Sequence, residues 1–69
     1  MTESIYRVTE VIGTSTESWE AAAKNAVETA AATLRDLRVG EVVKLDLTIE
    51  DGRVALYRAR VNISFKYEA

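Results

Sequence analysis

The sequence contains neither cysteine nor histidine. The first absence excludes disulfides and thiolate chemistry; the second removes imidazole acid–base work, and together they exclude the usual zinc sites. Long apolar runs are lacking as well. The uninterrupted ones extend over a few residues, far short of the roughly 20 needed to cross a bilayer. Met1-Thr2-Glu3-Ser4 does not open like a secretory signal, so a soluble, cytoplasmic chain with no membrane partner is the default expectation. Nor is there an excess of positive charge. Nine basic against eleven acidic residues give a net charge of −2, spread without blocks. Phosphate neutralisation drives non-specific nucleic-acid binding, so no nucleic-acid partner is expected.

What is present is a short chain of globular composition: 69 residues, 48% hydrophobic and 29% charged. It reads as one domain over residues 1–69. A domain of about 70 residues buries only about 60% of its unfolded surface and is marginal without a staple. With disulfides excluded and no closed metal cage in view, self-association is the expected remedy.

Alternation over 4–12 predicts a first strand, with apolar groups (Tyr6, Val8 and Ile12; Ile5 and Val11) on both faces. Gly13-Thr14-Ser15-Thr16 is read as a break that opens a helix, with Thr14 and Glu17 as a capping box. From Trp19 the period becomes helical. Trp19, Ala22, Ala23, Ala26, Val27, Ala30, Leu34 and Leu37 form one stripe, mostly alanine, which suits a sheet curling closely around the helix. Arg35 and Arg38 are expected in the last turn and Gly40 at its stop.

Two more strands are predicted over 41–50 and 54–67. The second sets Ala55, Tyr57, Ala59, Val61, Ile63, Phe65 and Tyr67 on one face. Arg58, Arg60, Asn62, Ser64 and Lys66 share the other. A two-residue Asp51-Gly52 turn would set apolar residues opposite polar ones along the ladder. A three-residue Glu50-Asp51-Gly52 turn is therefore expected, with Ile49 facing Arg53, Leu45 facing Tyr57, and Asp46 diagonal to Arg58. The fold class is α+β: strand, helix, strand, strand, a three-stranded antiparallel sheet around one helix. One helix cannot cover a strand of about fourteen residues and a two-sided first strand, which again points to partner copies.

Several of these segments resemble the dodecin family. Tyr6-Arg7-Val8 through Glu10-Val11-Ile12-Gly13-Thr14-Ser15 is similar to its opening strand and turn. The alanine-rich helix, the Glu41-Val42 step and the closing Ile63-Ser64-Phe65-Lys66 match as well. The resemblance implies a hollow homododecamer of cubic symmetry, non-enzymatic, which stores flavins stacked between tryptophans of neighbouring subunits. The chain departs from that pattern at the pocket. Relatives reading Asp-Trp-Phe-Glu-Val align with Arg38-Val39-Gly40-Glu41-Val42, so Val39 takes the stacking tryptophan's place. The glutamine that hydrogen-bonds the flavin ring falls on Arg58, which cannot accept a hydrogen bond. Asp46 stands where bacterial relatives often carry an arginine. Flavin stacking in the usual mode is not expected. Trp19, in the first helical turn, is read as a core or interface residue rather than the missing tryptophan. Ser18-Trp19-Glu20-Ala21-Ala22-Ala23 and the lost pocket tryptophan resemble a flavin-less mycobacterial subgroup described as calcium dodecins.

That resemblance makes calcium or another divalent ion the candidate cofactor. Glu17 matches an acidic metal-binding position of some haloarchaeal members, but its partner position is Lys44, and no EF-hand spacing exists. Glu17 is thus the metal candidate against a reading as helix N-terminal charge. The cations Arg58, Arg60 and Lys66 are either an anion stripe or part of an ion-pair network with Asp46, Glu41 and Glu50. Some bacterial dodecins bind coenzyme A through basic residues, one of which matches Lys66 while its partner aligns with Ser4. No catalytic residue is assigned. Ser15 and Ser18 lack a base, and Gly13, Gly40 and Gly52 are isolated. The expected function is a non-enzymatic shell that holds a small ligand or divalent ion. The alternative is flavin storage in a rearranged pocket, with Arg58 meeting a ring carbonyl.

Overall fold

In the computed structural model, which describes residues 4–67, the order is β1 (Ile5–Ser15), α1 (Trp19–Ala30), β2 (Leu37–Glu50) and β3 (Arg53–Tyr67). Met1-Thr2-Glu3, on which the signal-peptide reading partly rested, lies outside the described residues. The expected α+β arrangement is present, an antiparallel sheet in the order β1-β3-β2 with one helix packed on it. No helix among the described residues is long and apolar enough to cross a membrane.

β1 continues through Gly13 rather than breaking there. It pairs with β3 without interruption from Ile5↔Tyr67 to Ser15↔Tyr57. Gly13 is buried because the helix sits directly on it: a Cβ there would lie 2.0 Å from the Ala22 carbonyl oxygen and 2.8 Å from the Ala26 methyl. The glycine is needed for close approach and not to stop the strand.

The helix is capped one turn later than the Thr14–Glu17 box predicts. Ser18, in extended backbone, accepts a hydrogen bond from the Ala21 amide at 3.0 Å, and Glu20 complements the positive end of the helix. Thr14 is still in β1, and the Glu17 amide donates to Ser15 Oγ at 2.9 Å. The helix also ends early. Ala30 is its last residue, and Asp36 takes a left-handed φ of 59° before β2 begins. Arg35 therefore lies in the connection, while Arg38 and Gly40 are strand residues. Leu34 and Leu37 still pack against the core. Their spacing reflects which way they face and not a continuing helix.

The β2–β3 turn is the two-residue form, with Asp51 at φ 52°, Gly52 at φ 75°, and Glu50 opposite Arg53. Two left-handed residues in a row suit the twist of a tight hairpin. The parity argument survives by another route. A register shift between Thr48 and Ile49 absorbs one residue, so Leu47 faces Tyr57 and Leu45 faces Ala59. The predicted pairs Ile49–Arg53 and Leu45–Tyr57 do not form. A second shift between Val42 and Lys44 puts Val42 opposite Val61.

The core is the predicted alanine stripe against the predicted face of the last strand: Ala22, Ala26 and Ala30 on Ala59, Val61 and Ile63. Alanine lets helix and sheet approach closely, and it also limits the apolar area buried.

Candidate functional site

The even-numbered side chains of β3 from Arg58 to Lys66 point away from the helix. Across the strands they form rows with their register partners: Val8, Ser64 and Val39; Glu10, Asn62 and Glu41; Ile12, Arg60 and Lys44; Thr14, Arg58 and Asp46. The three residues matched to the flavin pocket share this face but not one place on it. Asp46 and Arg58 are directly opposite each other. Val39 lies beside Ser64, six residues further along β3 and so about 20 Å away at ~3.3 Å per residue.

Asp46 and Arg58 form a closed pair. Arg58 Nε donates to one carboxylate oxygen at 2.8 Å and an Nη donates to the other at 3.3 Å. This bidentate fork holds the Asp46 carboxyl below its ordinary value of 3.8, chiefly through the Arg58 hydrogen bond, and raises Arg58 above the usual arginine range. Both side chains are about one-third exposed, so solvent screens the pair. The relation is cross-strand and direct where the sequence suggested a diagonal one.

Trp19 holds the same aspartate from another element. Its indole N–H donates to the Asp46 carbonyl at 3.0 Å, and its ring meets Tyr57 edge-on with centroids 5.3 Å apart. Sequence reading placed Trp19 in the core or an interface. It missed this bond, which depends on a strand register set by the shift at Thr48/Ile49. Next to it lies an apolar cleft of about 360 Å³ lined by Trp19, Glu20, Ala23, Val42 and Leu45.

The other candidates lie apart. Glu17 is exposed in the turn before α1. Among the described residues no three histidine, cysteine or acidic side chains are grouped to hold a metal ion. Hard cations take about six to eight oxygen ligands, and the described residues bring no such acidic set together. Lys66 is remote from Arg58; with Arg7, Arg35 and Asp36 it lines a separate cleft, where Arg7 stacks over the Tyr67 ring at 4.8 Å. Ser4 is exposed at the start of the described chain.

The sequence profile of the Dodecin family matches residues 5–68. The chain belongs to the dodecin family. It is 40% identical over 63 residues to the calcium dodecin of Mycobacterium tuberculosis, covering 91% of this chain and 89% of that one. Among solved structures, the dodecin from Streptomyces coelicolor superposes with a TM-score of 0.93 at 42% identity, covering 100% of this chain and 99% of its own. The M. tuberculosis calcium dodecin, described as calcium-chelating with a novel calcium-binding site, superposes at 0.82 with 38% identity, over 93% and 91% of the two chains. The dodecin fold and the likeness to a calcium dodecin thus agree with the readings from sequence, and no enzyme family is indicated.

Proposed function

We propose that this dodecin is a single-domain, cytoplasmic, non-enzymatic protein that assembles into a homododecameric shell. In this reading it binds or sequesters a small ligand or a divalent ion at junctions between copies and has lost the flavin-stacking pocket. The observation that carries the loss is the Asp46–Arg58 fork. The residue at the family's glutamine position is already occupied, by a partner where relatives often carry an arginine, and Val39 offers no aromatic plane. An aromatic stacking pair is worth about 0.5–1.5 kcal/mol beyond the area it buries. A flavin would forgo that and would also have to break a bidentate ion pair to reach Arg58. The rearranged flavin pocket is disfavoured on the same ground.

Assembly is supported by apolar surface that the helix leaves open: Leu45 is 49% exposed, Val39 59% and Val8 63%. Calcium is the ion to test first, because the similar M. tuberculosis protein is a calcium dodecin. Since the described residues of one chain group no three acidic side chains, the ion site in this reading draws oxygen atoms from several copies, Glu17 among the candidates. Native mass spectrometry, riboflavin fluorescence titration and calcium calorimetry test the reading together. A dodecamer with unquenched flavin emission and a measurable calcium isotherm is expected. Stoichiometric quenching would overturn the lost-pocket reading, and a monomer at micromolar concentration would overturn the shell.

A further inference from the structure

The chain has three aspartates and two asparagines, the side chains able to close a five-membered ring on the backbone amide that follows them. Four of the five are held. Asp46 is gripped by the Arg58 fork within β2 and is followed by Leu47. Asp36 has Arg38 at 3.9 Å, and the Leu37 side chain after it packs against the core. Asn25 lies in α1 and donates to the Thr14 carbonyl at 3.0 Å. Asn62 sits in the central strand, between its register partners Glu10 and Glu41 and ahead of the branched Ile63.

Asp51 has none of these restraints. It is exposed at the tip of the β2–β3 hairpin, and the residue after it is glycine. Among the described residues its carboxylate has no hydrogen-bond or ion-pair partner. The ladder closes at Glu50↔Arg53, and the Gly52 N–H, inside the turn, donates to no acceptor among the described residues. Nothing lies within 4 Å of where a Gly52 Cβ would be, so the nitrogen is open to approach. A carboxyl free to rotate thus stands next to an unobstructed, unpaired amide.

We propose that Asp51–Gly52 is a modification site, at which the aspartate converts to isoaspartate without an enzyme. The Gly52 nitrogen attacks Asp51 Cγ and an N–Cγ bond forms. The amide proton, one carboxyl oxygen and a proton from solvent leave as water, which gives a five-membered cyclic imide. Water then adds to one of the two imide carbonyls, and the proton taken from solvent is returned. Addition at Cγ restores aspartate. Addition at the main-chain carbonyl carbon breaks its bond to the Gly52 nitrogen. The chain then runs through Cγ and carries a free α-carboxylate. Mass is unchanged, and no oxidant or reductant takes part. The product has one more main-chain carbon in the turn. A two-residue turn with both residues left-handed fits the twist of its strands and has no slack. Isoaspartate therefore opens the hairpin from its tip, first at Glu50–Arg53.

Ageing the folded, full-length chain tests this. Samples are kept at neutral pH for several weeks, well below the melting temperature, then digested and mapped by mass spectrometry with electron-transfer fragmentation. A purified isoaspartate methyltransferase counts the modified sites independently. Isoaspartate at residue 51 should rise with time and exceed that at Asp36 and Asp46 together by at least about ten-fold, a barrier lower by about 1.4 kcal/mol. Asp51→Gly keeps a favoured turn pair and removes the carboxyl, so methyl acceptance should fall to that of a fresh sample. The isomerised fraction, separated by ion exchange, should melt below the unreacted one. Isoaspartate at residue 51 that forms only in denaturant, or no faster than at Asp36 and Asp46, would overturn the site. Equal melting temperatures of the two fractions would overturn the opening of the hairpin.

Discussion

The β1–β3 half of the sheet and the β2 half have the same antiparallel geometry but different surroundings. The helix lies over β1 and β3, where eleven successive register pairs run without interruption and the fully buried Val61 and Ile63 meet the alanine stripe. β2 is shifted three times against β3 and leaves Val42, Val43, Leu45 and Ile49 between 44% and 67% exposed. β2 is in fact the richer half in branched apolar residues, so the difference lies in what covers them and not in composition. On its helix-facing side the first half is completed by the chain's own helix, although Ile5, Val8 and Ile12 of β1 stay exposed. The other half is left open, as expected of a chain too short to bury it alone.

Substitutions on the covered half should therefore damage the fold, and those on the open half the assembly. Gly13→Val is expected to have the largest effect. A Cβ would meet the backbone of α1, which cannot turn aside as a side chain can, so a loss of at least ~3 kcal/mol, or failure to fold, is expected in thermal denaturation. Next comes Ile63→Ala, a fully buried truncation expected to cost about 2–5 kcal/mol. Stability depends on protomer concentration if the copies assemble, so both are compared with the parent at equal concentration. On the open half, Leu45→Ser should cost the isolated chain only ~0.5 kcal/mol. Its larger consequence would be a fall in assembled mass. A drop in melting temperature as large as that of Ile63→Ala, with the mass unchanged, would erase the distinction between the halves.

The packed core of the covered half is also the part the sequence describes well. The alanine stripe and the alternation Ala59, Val61, Ile63 have single readings, because helical and strand periods are both unambiguous there. Errors gather where one residue can serve two purposes. Gly13 fits a strand break as well as a close contact, and only the position of the helix decides. Ser15 and Ser18 are both good caps, and the strand's extension to Ser15 settles it for Ser18. In the hairpin, parity was the right constraint, but a bulge after a tight turn meets it as well as an odd loop does. Of the candidate site, Asp46 and Arg58 could be brought near each other from sequence. Their direct opposition could not, nor could the Trp19 bond, since both follow from the shift at Thr48/Ile49.

Asp46 joins the two halves, and its titration gives the smallest and most specific test. Arg58 on β3 holds its carboxylate while Trp19 on α1 holds its carbonyl. The hydrogen bond from Arg58 lowers the folded pKa below 3.8. Folding therefore gains from the ionised form. That gain is complete above the unfolded aspartate value of about 3.9 and disappears as the pH falls through the lowered folded value. In Asp46→Asn the carbonyl bond to Trp19 remains and the charge does not. The parent should thus melt slightly higher than the variant at neutral pH, and the two curves should converge as the pH falls below the unfolded aspartate value of about 3.9 and through the lowered folded one. Because the pair is partly exposed, the gap should shrink in 1 M salt, where charges are screened beyond about 3 Å. A gap that is constant across this pH range would mean that the fork contributes shape rather than charge, and that β2 is held to the covered half by the indole bond and the ladder alone.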